Sequence, residues 1–116
     1  MLTREQMWPN ICTLRGRELK TLERGRPFEV LDVDSHGVLL SPVVSGKQRK
    51  IRRRTVERAF VALADRRELT SLEIADEFSA FNAVYLAALL AALPDVAVCL
   101  RPIRLIFVGE QLFYLE

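Results

Sequence analysis

Gln48-Arg-Lys-Ile-Arg-Arg-Arg-Thr-Val-Glu-Arg-Ala-Phe-Val-Ala-Leu-Ala64 changes its hydrophobic pattern part-way along. Gln48 to Arg52 reads as a strand in which Ile51 is the one clear inward-facing side chain. From Thr55 onward, Val56, Ala59, Phe60, Leu63 and Ala64 fall at helical spacing on one face and predict a helix to about Arg67. Thr55 suits the N-cap. Glu57 lies in the first turn and Arg66 and Arg67 in the last, each where the helix dipole favours its charge.

Strands are predicted before this junction. Phe28-Glu-Val-Leu-Asp-Val33 alternates, with Phe28, Val30 and Asp32 on one side. Asp34-Ser-His-Gly37 has turn chemistry, and Val38 to Val44 returns as a strand in which Pro42 calls for an edge or a bulge. Ser45-Gly46 makes a second turn. Arg17 to Leu22 reads as a further strand, with Gly25 and Pro27 in the turn that follows. Thr3 caps a short turn of helix that Pro9 is expected to end.

Helices are predicted after it. Thr70-Ser-Leu-Glu73 is a capping box that opens a second helix over 71–78, with Leu72, Ile74, Ala75 and Phe78 apolar. A third helix, 82–93, is rich in Ala, Leu, Val and Tyr and stops at Pro94-Asp95. Ile103 to Val108, Gly109-Glu110 and Gln111 to Leu115 read as a C-terminal hairpin. The expectation is one α+β domain over 1–116: an antiparallel β-meander (1–54) packed on three helices, with a C-terminal β-hairpin (55–116). The helices at 55–67 and 82–93 and the strands at 28–33 and 103–108 should supply the core.

The order helix, helix, short turn, helix, hairpin resembles a prokaryotic winged-helix module. The resemblance covers about half of the chain and rests on element order. It implies DNA binding, with the 82–93 helix in the major groove and the hairpin as the wing. Residues 68–93 depart from such a reader, because they contain no Lys or Arg and carry Glu68, Glu73, Asp76 and Glu77. Bases are usually read by Arg, Lys, Asn or Gln. Asn82 and Tyr85 are the only such polar handles near the start of the third helix. A helix that is apolar nearly all round is expected at a core centre or a dimer contact.

Charge distribution points to a site. The 116 residues carry a net charge of +2. Residues 1–46 are neutral, 47–58 carry +6, and 68–116 carry −5. In the strand reading, Arg49, Ile51 and Arg53 point one way and Gln48, Lys50, Arg52 and Arg54 the other. Lys47 stands at the turn and Arg58 follows one turn into the helix. Lys47, Lys50, Arg52, Arg54 and Arg58 are therefore the candidate contacts for a nucleic-acid phosphate backbone, DNA foremost. Two other readings stay open. Lys and Arg can protect an edge strand from pairing. The stripe can also dock on an acidic protein surface, including the acidic half of a second copy in a homodimer. No Phe, Tyr or Trp lies between Pro42 and Arg58, so the segment lacks the aromatic interleaving that supports stacking on single strands.

Other chemistry is set aside. Cys12, Cys99 and the single His36 cannot form the usual zinc set, and no cofactor motif appears. Ser45-Gly-Lys-Gln48 lacks the earlier Gly and the following Ser or Thr of a phosphate loop. Asp95 with Glu110 lacks the expected Lys at Leu112 for a nuclease. His36 sits in a turn rather than beside a nucleophile, and Asp32 with Asp34 reads as a strand end followed by a turn. A non-enzymatic protein is expected. The longest apolar run, Ala83 to Leu93, is 11 residues, against about 18 for a membrane span. With no secretion signal, the expected location is the cytoplasm.

Overall fold

Residues 1–108 are described by the computed structural model, which is α+β. Its elements are α1 (Arg4–Cys12), β1 (Glu18–Lys20), β2 (Pro27–Asp34), β3 (Gly37–Pro42), β4 (Arg49–Arg52), α2 (Arg53–Arg66), β5 (Glu68–Thr70), α3 (Ser71–Glu77), α4 (Ala83–Ala91), β6 (Val96–Cys99) and β7 (Arg104–Phe107). The first four strands form the expected antiparallel meander, in the order β1-β2-β3-β4. The remaining three form a second antiparallel sheet, in the order β5-β7-β6.

Among the described residues four helices stand where three were expected. Thr3 caps α1 with a full capping box: its hydroxyl accepts from the Gln6 N–H at 3.3 Å, and the Gln6 side chain accepts from the Thr3 N–H at 3.0 Å. The helix runs through Pro9 to Cys12. Pro9 removes one backbone bond on the exposed side, while Met7, Trp8 and Ile11 are buried on the other and hold the helix together.

In the meander, Phe28, Val30 and Val33 are buried and Asp32 is exposed. A shift of register between Val30 and Asp32 moves the inward position from Asp32 to Val33. Pro42 lies at the end of β3, beyond the Gly37–Leu40 segment that pairs with β4, so its missing N–H costs that ladder nothing.

The second sheet contains the main departures from the sequence reading. The 103–108 strand exists as β7, but its hairpin partner is β6, which precedes it. The expected 111–115 strand lies outside the described residues. β5, between α2 and α3, pairs with β7 and ties the hairpin to the helices. Thr70 caps α3 with the expected capping box, at 2.9 and 3.1 Å.

Both sheets and all four helices contribute to one apolar cluster. Leu63, Leu86, Leu89 and Leu90 are fully buried. Phe60 meets Phe107 edge-on at 5.9 Å, and Phe28 meets Tyr85 edge-on at 5.2 Å, so each sheet is pinned to the helices by an aromatic pair. Among the described residues no helix is long and apolar enough to cross a membrane.

Candidate nucleic-acid interface

The basic segment straddles the β4–α2 junction. Among the described residues β4 pairs only with β3 and forms one edge of the meander. Val38 and Ile51 are a buried cross-strand pair, so Lys50 and Arg52 emerge on the opposite, exposed face. The strands approach closely at Gly37, opposite Arg52, where any Cβ would collide with the Ile51 carbonyl oxygen.

α2 begins at Arg53, two residues before the expected cap Thr55. The capping partner is remote. The Arg53 N–H donates at 2.9 Å to the carbonyl of His36 in the β2–β3 turn. That turn is shaped by Asp34, whose carboxylate accepts from the N–H groups of His36 at 2.7 Å and Gly37 at 3.1 Å. The His36 bond, above all, holds the Asp34 carboxyl below its ordinary value, and the charge of Lys50 adds to the effect. Strand, turn and helix start thus form one connected unit.

Lys47, Lys50, Arg52, Arg54 and Arg58 are all exposed. Lys50, Arg52 and Arg54 line one open concavity of about 770 Å³ together with Arg53, His36 and Glu57. A second concavity, about 520 Å³, lies along α2 and is lined by Arg4, Arg54, Arg58 and Arg66 and also by Glu57, Asp65 and Glu77. Lys47 precedes β4, where its N–H donates to the Ser45 hydroxyl at 3.3 Å. None of the five cations makes an ion pair among the described residues. The surface turns acidic at the far end of α2. There Arg66 binds Glu77 at 2.8 Å and Glu73 at 3.5 Å, and holds the Glu77 carboxyl below its ordinary value.

Arg49 and Arg53 are half-buried, unlike the exposed five. Arg53 pairs with Glu57 at 3.4 Å and lies over the Trp8 ring at 5.0 Å. The Arg49 guanidinium sits over Phe81 at 4.5 Å and Tyr85 at 5.2 Å, and donates to the Phe81 carbonyl at 3.2 Å and the Asn82 side-chain oxygen at 3.4 Å. Arg58 lies over Phe78 at 5.8 Å. The segment has no aromatic residue of its own, yet tertiary packing sets Trp8, Phe78, Phe81 and Tyr85 against its arginines. Local sequence carried no signal of this, since the rings come from α1, the α3–α4 turn and α4.

The basic surface reaches Arg4, which sequence reasoning missed, and leaves out Arg104, which is paired with Glu68 in the second sheet. Cys12 and Cys99 are free, half-buried thiols. Among the described residues no group of three or more His, Cys, Asp or Glu could hold a metal ion.

No protein-family model, curated protein or solved structure matches the chain.

Proposed function

We propose that this is a non-enzymatic, cytoplasmic nucleic-acid-binding protein, a regulator or accessory factor. It grips phosphates, DNA foremost, with Lys47, Lys50, Arg52, Arg54 and Arg58. One observation carries the reading: the five cations are exposed and make no ion pair among the described residues, and four of them, Lys50, Arg52, Arg54 and Arg58, line two neighbouring concavities that span a strand and a helix. Protection of an edge strand accounts for Lys50 and Arg52 on β4. It does not account for Arg54 and Arg58, one turn apart on α2. Unpaired cations gathered on one surface are what release of condensed counterions requires.

The order α2, α3, α4, β6–β7 hairpin supports the winged-helix resemblance. α4 carries no basic residue, and its centre, Leu86 to Leu90, is buried. On this reading, phosphate contact dominates and base reading by α4 is minor.

A second reading has its own observation. Phe81 and Leu72 are 76% and 74% exposed, and an exposed aromatic beside arginines also suits the anchor of a protein contact. There the stripe would dock on an acidic partner or on a second copy.

Fluorescence anisotropy with labelled duplex DNA, single-stranded DNA and RNA separates the two. Micromolar or tighter binding that is lost on combined Arg52→Glu and Arg54→Glu substitution is expected. No binding at low salt refutes the proposal and favours a protein partner.

A further inference from the structure

We infer that Phe81 is a stacking platform for an unpaired base, and that the ligand of the basic surface is single-stranded nucleic acid. The inference rests on the phosphate-binding reading and names its substrate class.

Phe81 is 76% exposed, yet it is not a loose surface ring. Its backbone carbonyl accepts from Arg49, and the next residue, Asn82, is held twice. The Asn82 side-chain oxygen accepts from Arg49, and its N–H donates to the Ser79 hydroxyl at 3.0 Å. Phe78, at the other end of the same turn, lies under Arg58. The turn between α3 and α4 is therefore clamped by one arginine from β4 and one from α2, both within the basic segment.

The Arg49 guanidinium covers one side of the Phe81 ring, and the high exposure leaves the other side open to solvent. Every base has a π-face, so such a platform accepts unpaired bases without reading sequence. A base inside a duplex has both faces occupied by its neighbours and cannot use it.

Strand geometry joins the platform to the phosphate contacts. Arg49 and Lys50 are adjacent on β4 and point to opposite faces of the sheet. β4 is the sheet edge, so a nucleic-acid strand crossing that edge meets both faces. Its phosphates would lie against Lys50 and Arg52, and a base would lie on Phe81. A row of cations with a ring on its flank is the usual arrangement for single strands.

The test compares the wild type, Phe81→Ala and Phe81→Trp on labelled oligothymidine and on a duplex of matched length. Phe81→Ala should weaken oligothymidine binding about five- to 150-fold, which is 1–3 kcal/mol per stacked base at tenfold per 1.4 kcal/mol. It should leave duplex affinity and the salt slope unchanged. Phe81→Trp should retain affinity, and its added indole fluorescence, read as the difference from the wild type because Trp8 lies under Arg53 beside the basic surface, should be quenched on binding. Unchanged oligothymidine affinity for Phe81→Ala, with binding still abolished by charge reversal at Arg52 and Arg54, overturns the platform and leaves the phosphate reading standing. Equal loss on duplex and single strand overturns it as well. If the wild type binds neither oligonucleotide, the phosphate reading fails and takes this inference with it.

Discussion

Neutralising Arg52 and Arg54 together, as Arg52→Gln with Arg54→Gln, should flatten the salt dependence of binding by a definite amount. The five exposed cations are five candidate phosphate contacts. At about 0.9 counterions released per contact on a duplex, the log–log slope should be about −4.5, and on a single strand, at about 0.7, it should be about −3.5. Removing two contacts lowers these slopes to about −2.7 and −2.1. Between about 50 and 200 mM salt, the wild type should lose about 500-fold in duplex affinity and the variant about 40-fold. Both side chains are exposed and without ion pairs among the described residues, so the substitution should change stability by no more than about 0.5 kcal/mol. Anisotropy titrations at several salt concentrations give the slope directly, with circular dichroism to check the fold. An unchanged slope refutes the assignment of these residues even if affinity falls.

Further predictions concern the frame that holds the surface. Gly37→Ala should destabilise the protein by about 1–3 kcal/mol or more in denaturant melts, because the added Cβ meets the Ile51 carbonyl and forces β4 away from β3. Leu63→Ala, at a fully buried position on α2, should cost about 2–5 kcal/mol in the same assay. Thr70→Ala removes the α3 cap and should cost about 1 kcal/mol. Arg66 lowers the Glu77 carboxyl below its ordinary 4.5, so the pair stabilises the fold fully above that pH. Its contribution fades as pH falls through the lower folded-state value, and Glu77→Gln should flatten the acid limb of a plot of Tm against pH.

The parts of the fold that were legible in the sequence are those whose signals are local. The alternation of Phe28 to Val33, the turn at Asp34 to Gly37, the Thr70 capping box and the apolar face of α2 each sit within a dozen residues. The misplaced features depend on distant partners. The start of α2 is set by the His36 carbonyl, 17 residues upstream, and not by Thr55. α1 survives Pro9 because three of its side chains are buried in the core. β5 and β6 are three and four residues long, too short to show a period, and exist because β7 lies between them. At the candidate site, exposure of Lys50 and Arg52 followed from strand alternation around Ile51, whereas Arg53 and Arg54, read as part of that strand, lie in the first turn of α2. The aromatic partners of Arg49, Arg53 and Arg58 did not follow from it, because the rings are far away in sequence.

Mapping the contact surface on the free protein tests the central claim most directly. Backbone amide spectra recorded during titration with oligothymidine and with duplex DNA should show the largest shifts over Lys47 to Arg58, with the α3–α4 turn joining for the single strand. Shifts confined to other surfaces, such as the β6–β7 turn around Arg101, would contradict the account. So would a spectrum that does not change at all.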